Sequence, residues 1–379
     1  MLLMSHFCII HWRFFMNYNE IRRKTREVSI GTVKIGGNNK IAIQSMTNTD
    51  TLDRDATLEQ IKRLAISGCD IVRITVPDVE AAKTIKYIKE SGISTPIVAD
   101  IHFDYRAALA AAEYGVDKIR INPGNIGDDE RVKMVADVCN QKNIPIRIGV
   151  NSGSVEKHIL AKYGAPTPEA LSESAMYHAS LLEKFDFNNI VISIKASSVY
   201  EMIEANKLVS ARCDYPLHLG VTEAGGERMG SIKSAAGIGA CLCLGIGDTF
   251  RVSLTDDPAK EARAARDILN ALEIEGQSGM NIVSCPTCGR TKIDLISIAS
   301  QFERAVETEG LSELPIKVAL MGCIVNGPGE AREADIGFAG GRGEAVLIRR
   351  GEIIRKIKEE DIISSLIAEI KKIKEERNL

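Results

Sequence analysis

The run Ile71-Val72-Arg73-Ile74-Thr75-Val76-Pro77 sets the reading of the whole chain. Successive side chains of a strand point to opposite faces. Arg73 and Thr75 therefore share one face, while Val72, Ile74 and Val76 share the other. A helical stretch over Val79–Ser91 follows, and Pro96–His102 then repeats the strand type, with Asp100 and His102 two residues apart. Working outward, the same kind of strand recurs at Ile41–Thr47, Lys118–Asn125, Pro145–Asn151, Asn189–Ser197, Pro216–Glu223 and Thr249–Thr255. Helix-like segments such as Thr57–Ser67, Asp104–Tyr114 and Pro258–Leu272 lie between them. Thr57 and Gln60 read as a capping box, and Gly68, Gly92 and Gly115 stand where helices should end. Eight βα units in about 230 residues predict an α/β fold, a (β/α)8 TIM-like barrel. A doubly wound open sheet seldom carries so many regular repeats.

The polar face of these strands carries the first functional signal. Arg120 shares a face with Asn122, Arg147 with Asn151, Lys195 with Ser193 and Ser197, and Arg251 with Ser253. The opposite register is mostly Ile, Val, Leu and Ala, as packing under an outer ring of helices requires. The polar register must then point into the barrel, toward the C-terminal mouth where such folds place their active sites. Five cations, Arg73, Arg120, Arg147, Lys195 and Arg251, converge there in a chain of net charge −3. One reading is a structural ion-pair network with Asp100 and Glu223 as partners. Two carboxylates do not neutralise five cations, so the other reading is a site for a polyanion, most simply a phosphate or diphosphate gripped by arginine. The loops Asn151-Ser-Gly-Ser154 and Thr222-Glu-Ala-Gly-Gly226 would add backbone N–H donors.

After Leu272 the pattern changes. Gly276-Gln-Ser-Gly279 marks a boundary, followed by a small α+β domain. Its expected elements are strands at Asn281–Ser284, Ile316–Met321, Ile336–Ala339, Ala345–Arg349 and Glu352–Lys356, and helices at Asp294–Glu309 and Glu360–Arg377. Three of its residues stand out, Cys285 and Cys288 in Cys-Pro-Thr-Cys-Gly and Cys323 in Met-Gly-Cys-Ile-Val-Asn-Gly-Pro-Gly-Glu. No histidine follows His218. Three thiolates without a fourth soft ligand fit structural zinc poorly. They fit an iron–sulfur cubane with one iron left for a weaker ligand or a substrate. Glu330, seven residues beyond Cys323, is the candidate oxygen ligand. The bland alternative is three core cysteines and a surface glutamate.

The chain has 379 residues, 45% hydrophobic and 26% charged, which is ordinary globular composition. Its charge gives no pull toward nucleic acid or anionic membrane. Nine cysteines spread over this length do not form a disulfide framework and point to a reducing cytoplasm. Cys8, Cys69, Cys139, Cys213, Cys241 and Cys243 read as core or bystander residues, with Cys241 and Cys243 the one further pair to inspect. The apolar stretch Met1–Phe15 is too short and too interrupted to span a bilayer. It reads as a start-site artefact ahead of Met16 or Met4. The expected organisation is an N-terminal extension over 1–27, a substrate-binding barrel over 28–275 and a cluster domain over 276–379.

Together these residues resemble the (E)-4-hydroxy-3-methylbut-2-enyl diphosphate synthase family, iron–sulfur enzymes of the non-mevalonate isoprenoid pathway. The resemblance covers about Val28 to Asp361. It is carried by Cys285-Pro-Thr-Cys-Gly-Arg290, Met321–Glu330, Lys118-Ile-Arg-Ile-Asn-Pro-Gly-Asn125, Arg147–Ser154 and Val221–Gly225. It implies reductive ring opening of 2-C-methyl-D-erythritol 2,4-cyclodiphosphate to the allylic hydroxy diphosphate, with two electrons taken up and water lost. It implies a [4Fe-4S] cluster on Cys285, Cys288 and Cys323, with Glu330 on the fourth iron at rest. Arg73, Arg120, Arg147, Lys195 and Ser253 are implied as diphosphate ligands, with Asn151 nearby and Glu223 as acid/base. A head-to-tail homodimer and a reduced ferredoxin or flavodoxin as donor are implied as well. The rival readings are a pterin-synthase-like barrel with a merely structural cluster, and a redox carrier without turnover.

Overall fold

The computed structural model describes residues 18–274, 279–325 and 327–379, without the side chains of residues 18, 19 and 330. The readings of Met1–Phe15 and Cys8, most of the Gly276–Gly279 boundary, and Asn326 lie outside the described residues. Packing divides the chain into two units, between Ile268 and Leu269.

The first unit is a parallel barrel. It opens with a short antiparallel hairpin, β1 (Val28–Ile30) and β2 (Val33–Ile35). The barrel strands are β3 (Ala42–Met46), β4 (Ile71–Thr75), β5 (Ile97–Asp100), β6 (Lys118–Ile121), β7 (Ile146–Asn151), β8 (Ile190–Lys195), β9 (His218–Leu219) and β10 (Thr249–Phe250). Their order is β8-β7-β6-β5-β4-β3-β10-β9, and a parallel bridge from Ile192 to Leu217 joins the two ends. All eight expected strands are present. The outward register is fully buried under the helices, as with Val72, Ile74, Ile119, Ile148 and Ile194.

The hairpin is a feature that strand alternation alone does not announce, because each of its arms is three residues long. Val28, Ile30 and Ile35 pack against Ala42, Ile71, Val98 and Val191, which are the inward residues at the starts of four barrel strands. The hairpin therefore seals the N-terminal end with an apolar floor. Two residues further along these strands, the inward positions become Gln44, Arg73, Asp100 and Ser193. The barrel interior thus changes from hydrocarbon to charge within one layer.

Three local expectations need correction. The helix expected to start at a Thr57 box spans Arg54–Ile66, and its N-cap is Asp53, whose carboxylate accepts from Ala56 N at 3.1 Å. The strand expected to reach Asn125 stops at Ile121, because Pro123, at the first position of a helical turn over Pro123–Ile126, has no N–H for a ladder. The last two strands are regular over two residues only. Beyond them the chain runs alongside its neighbours with single hydrogen bonds, Arg251 N to Leu219 O at 3.1 Å and Thr222 N to Ala196 O at 3.1 Å. Gly68, Gly92 and Gly115 do end helices, all with positive φ.

The second unit is a mixed sheet of β11 (Asn281–Ser284), β12 (Lys317–Met321), β13 (Ile336–Gly340), β14 (Glu344–Arg349) and β15 (Glu352–Lys358), in chain order. The first three strands are parallel and the last two antiparallel. Leu320, Phe338 and Leu347 pack with Phe302 of the helix Leu295–Thr308 and Ile370 of the helix Ile362–Arg377. Ala319, Met321 and Ala339 form a second layer with Ala331 and Ala334. Among the described residues, no helix is long and apolar enough to cross a membrane.

The apolar floor yields a stability test. Ile30 is fully buried, so Ile30→Ala should cost about 2–5 kcal/mol. Urea unfolding followed by circular dichroism reads that loss, and a shift below about 1 kcal/mol would mean that the hairpin does not close the barrel.

Candidate functional site

The inward register of β4 to β8, with the segments after β9 and β10, builds one cavity of about 150 Å³. Arg73, Asp100, His102, Arg120, Arg147, Asn151, Lys195, Thr222, Arg251 and Ser253 line it. The structure thus brings together all six expected substrate-binding residues, Arg73, Arg120, Arg147, Asn151, Lys195 and Ser253. Parallel pairing sets Asp100 beside Arg120, Arg120 beside Arg147, and Asn151 beside Lys195. Gly149 makes room in the wall, since a Cβ there would lie 2.4 Å from Arg120 Nε. Arg120 donates to Gly149 O at 3.0 Å and to Asp100 at 3.1 Å.

Charge in this cavity is unevenly matched. Asp100 sits 3.1 Å from Arg120 and 3.7 Å from Arg73. Burial pushes its carboxyl up, but Arg73 and Arg120 outweigh burial and hold it at about 2. Arg251 is gripped through two nitrogens by Glu261, at 2.9 and 2.8 Å. Glu261 also accepts from Ser45 Oγ and Leu254 N. Arg147 and Lys195 have no carboxylate within ion-pair distance among the described residues. Arg147 is 1% exposed, and its Nε and Nη2 have no hydrogen-bond partner. Five lining cations face two carboxylates, Asp100 and Glu261, leaving an excess of three. Burial lowers Arg73 to about 10 against the pull of Asp100. Burial, reinforced by neighbouring arginines, drives Arg147 and Lys195 well below their ordinary values.

Three contributors escape the sequence reading. Lys118 is fully buried on the same face as Arg120, touches Gln44 at 3.3 Å, and is driven well down by burial, Arg147 and Arg73. Its spacing of two from Arg120 is the signal that finds it. His218 is buried inside the barrel beside Thr249, with Nε2 unpartnered. Glu261 lies on the helix Pro258–Ala271, where strand alternation gives no hint of it. It, rather than Glu223, is the second carboxylate that pairs with a cation. Glu223 is exposed, with φ +53°, in the loop after Thr222, and is not part of the cavity wall.

In the second unit, Cys285 directly follows β11 and donates its backbone N–H to Leu320 O at 3.2 Å. Gly322, directly after the neighbouring β12, donates its N–H to Cys285 Sγ at 3.2 Å, and Cys323 follows. The loop between the first two cysteines and Lys292 folds back here, with Lys292 N donating to Gly322 O at 3.1 Å. Cys288 is exposed, and its thiol is lowered by the backbone and then the side chain of Arg290. Cys285 and Cys323 are half-buried. Among the described residues, no three Cys, His, Asp or Glu groups stand at metal-holding distances. The donor set nevertheless fits an iron–sulfur cluster. Three thiols sit on loops at the ends of two adjacent parallel strands, and one sulfur already accepts an amide hydrogen bond, as cluster sulfurs do. Glu330 closes the turn Gly327–Glu330, and its side chain is outside the described part. Cys241 and Cys243 lie on one helix, one buried and one exposed, and form no second thiol site.

Two family models match this chain, the GcpE TIM-barrel domain over residues 25–266 and the GcpE protein C-terminal domain over residues 281–372. A protein of Caldanaerobacter subterraneus named 4-hydroxy-3-methylbut-2-en-1-yl diphosphate synthase (flavodoxin) is 57% identical over 94% of this chain and 99% of its own length. A Fusobacterium nucleatum protein of the same name is 56% identical over 93% of this chain and 97% of its own. One from Bacillus cereus is 52% identical over 94% and 95%. Among solved structures, a dihydropteroate synthase from Stenotrophomonas maltophilia aligns over 67% of this chain and 100% of its own, at 12% identity and a TM-score of 0.48. A likeness that weak carries no argument.

The Asp100 pair predicts a pH dependence. Its carboxyl falls from an ordinary 3.8 to about 2 on folding. The ionised form therefore stabilises the fold by about 2–3 kcal/mol, fully above about pH 4, and this is lost as pH falls toward about 2. Denaturant titrations should show Asp100→Asn weaker than the parent by that amount at neutral pH, with the gap closing in acid. A gap that stays constant with pH would count against the ion pair.

Proposed function

The chain belongs to the GcpE family, and from that premise we propose how its two units divide one reaction. It is an oxidoreductase of isoprenoid precursor synthesis that forms 4-hydroxy-3-methylbut-2-en-1-yl diphosphate. In our reading it does so by opening the ring of 2-C-methyl-D-erythritol 2,4-cyclodiphosphate, taking up two electrons from reduced flavodoxin and releasing water. The observation that carries the reading is the pair Arg147 and Lys195, enclosed without a carboxylate partner. A barrel that leaves such cations uncompensated is short of the negative charge a diphosphate supplies.

The chain's own residues then have separable roles. Arg73, Arg120, Arg147 and Lys195 grip the phosphoryl oxygens, and Asn151 and Ser253 add neutral polar contacts at the rim. The anion supplies the opposite charge that Arg147 and Lys195 lack, so its binding favours their charged forms against burial. Holding the ring in one orientation and covering it from water lowers the entropic part of the barrier. Charge that develops as the ring opens meets preset cations. Glu223, on the exposed loop beside Thr222, is our candidate acid/base. Cys285, Cys288 and Cys323, with Glu330 as fourth ligand, would hold a [4Fe-4S] cluster, which when bound supplies single electrons and a Lewis-acidic iron. A cytoplasmic homodimer belongs to the same proposal. The rival reading, a non-redox phosphate-ester barrel with a structural cluster, is not favoured by relatives named for the diphosphate synthase.

Two variants test the division. Arg147→Met should weaken binding of the cyclic diphosphate by about 10- to 100-fold, the weight of one or two charge-assisted contacts. Cys323→Ser should leave that binding within about twofold while abolishing anaerobic incorporation of iron and sulfide, and product with it. Calorimetry reads the first and metal analysis the second. Product formation by a cluster-free protein, or unaltered binding in Arg147→Met, would overturn the reading.

A further inference from the structure

Behind the cation layer lies a buried histidine that the reaction does not use. His178, on the helix Pro168–Glu183, is fully buried. Its Nδ1 accepts the N–H of Gly124 at 3.3 Å, and its Nε2 lies 2.5 Å from Glu156 Oε1, a close polar contact without the alignment of a hydrogen bond. Gly124 belongs to the Pro123–Ile126 turn that follows β6, and Glu156 stands at the N-cap position of the helix Lys157–Tyr163 that follows the β7 loop. One imidazole thus joins the two loops that continue the strands of Arg120 and Arg147.

The local chemistry explains why a histidine stands there. The first amides of a helical turn have no partner within the turn. Asn122 is the N-cap of this one, a residue type that normally supplies the missing acceptor. Its side chain makes no cap bond, because Asn122 Oδ1 instead accepts the N–H of Gly149 on β7 at 3.0 Å. The cap is therefore supplied from another helix by His178. Accepting at Nδ1 leaves the ring proton on Nε2, facing Glu156. Burial pushes the Glu156 carboxyl up, but contacts with His178, Ser174 and the backbone together outweigh it, and the net shift is downward. The fit is close, since a Cβ on Gly124 would lie 2.9 Å from the ring.

We propose that His178 and Glu156 are positioning residues of the diphosphate clamp, holding the β6 and β7 loops together so that Arg120, Arg147 and Asn151 present one rigid face to the substrate. This rests on the reading of the cavity as the diphosphate site. Asn122 to Gly149 at the strand ends, and Gly124 to His178 to Glu156 behind them, form two ties between the same pair of βα units. Cutting the rear tie frees the loops without removing any group that touches substrate.

The test uses the full chain, with the cyclic diphosphate as probe in calorimetry and in turnover by the reconstituted enzyme. His178→Leu should weaken binding about tenfold and raise KM by a like factor, with kcat changed less than about threefold. His178→Asn, whose Oδ1 can take the Gly124 N–H, should recover part of the loss. If His178→Leu does not fold, Glu156→Gln keeps the volume and carries the same test, with an expected loss of about threefold. Folded variants that bind as tightly as the parent overturn the role of His178. A parent that binds no cyclic diphosphate overturns the reading of the cavity instead, so the two failures are distinct.

Discussion

Uncompensated positive charge enclosed by the barrel is the constraint on which the rest of the structure depends. Each cation moved out of water costs several kcal/mol unless a partner restores the balance. Asp100 does so for Arg120 and Arg73, and Glu261 does so for Arg251. Nothing described does so for Arg147 and Lys195, or for Lys118 a layer below them. Such a layer persists only where the surrounding barrel is stable enough to carry it. The apolar floor of Val28, Ile30 and Ile35, and the fully buried outer register of the strands, are that reserve.

The same constraint orders the interior along its axis. Hydrocarbon closes the N-terminal end, Lys118 and His218 are buried in the middle, and arginines with Asp100 form the upper wall. Desolvation makes the middle layer reluctant to hold charge, which lowers Lys118 and His218 far from their ordinary values. An anion arriving from above therefore meets its strongest grip at the rim. The interior acts as a graded field rather than a fixed cage.

Period-two alternation made much of this legible. Arg73, Arg120, Arg147, Asn151 and Lys195 are placed by counting in twos along strands with an aliphatic opposite face. That count works because both faces of a barrel strand are buried, one by helices and one by the lumen. It fails where a side chain crosses between periods. Glu261 reaches the site from a helix, so no strand pattern contains it. The count also over-extends strands, as where Pro123 ends β6 four residues early or Glu223 turns outward with φ +53°. The hairpin stayed hidden because three-residue arms are too short to show a period. Cysteine spacing, by contrast, carries the proposal of a second site without any structure, since what matters there is the donor set and its missing fourth member.

The two proposed sites also follow different physical logics, which fits their placement in two units. The barrel cavity needs rigid walls and exclusion of water, because charge–charge contacts gain strength as the local dielectric falls. The cysteine loops need the reverse. Cys288 is exposed with a lowered thiol, and Cys285 rests against a glycine amide at a strand end. Thiolates on loops can adapt to a cluster and exchange a labile fourth ligand, which side chains locked in a lumen cannot do. Cys285 packs against the small-residue cluster of Ala319, Ala331, Ala334 and Ala339. Joining the two demands in one cavity would compromise both, since groups free to move cannot also be preset. On the proposed division of labour, gripping a polyanion rigidly and delivering electrons through an exchangeable iron are tasks best housed in separately packed units.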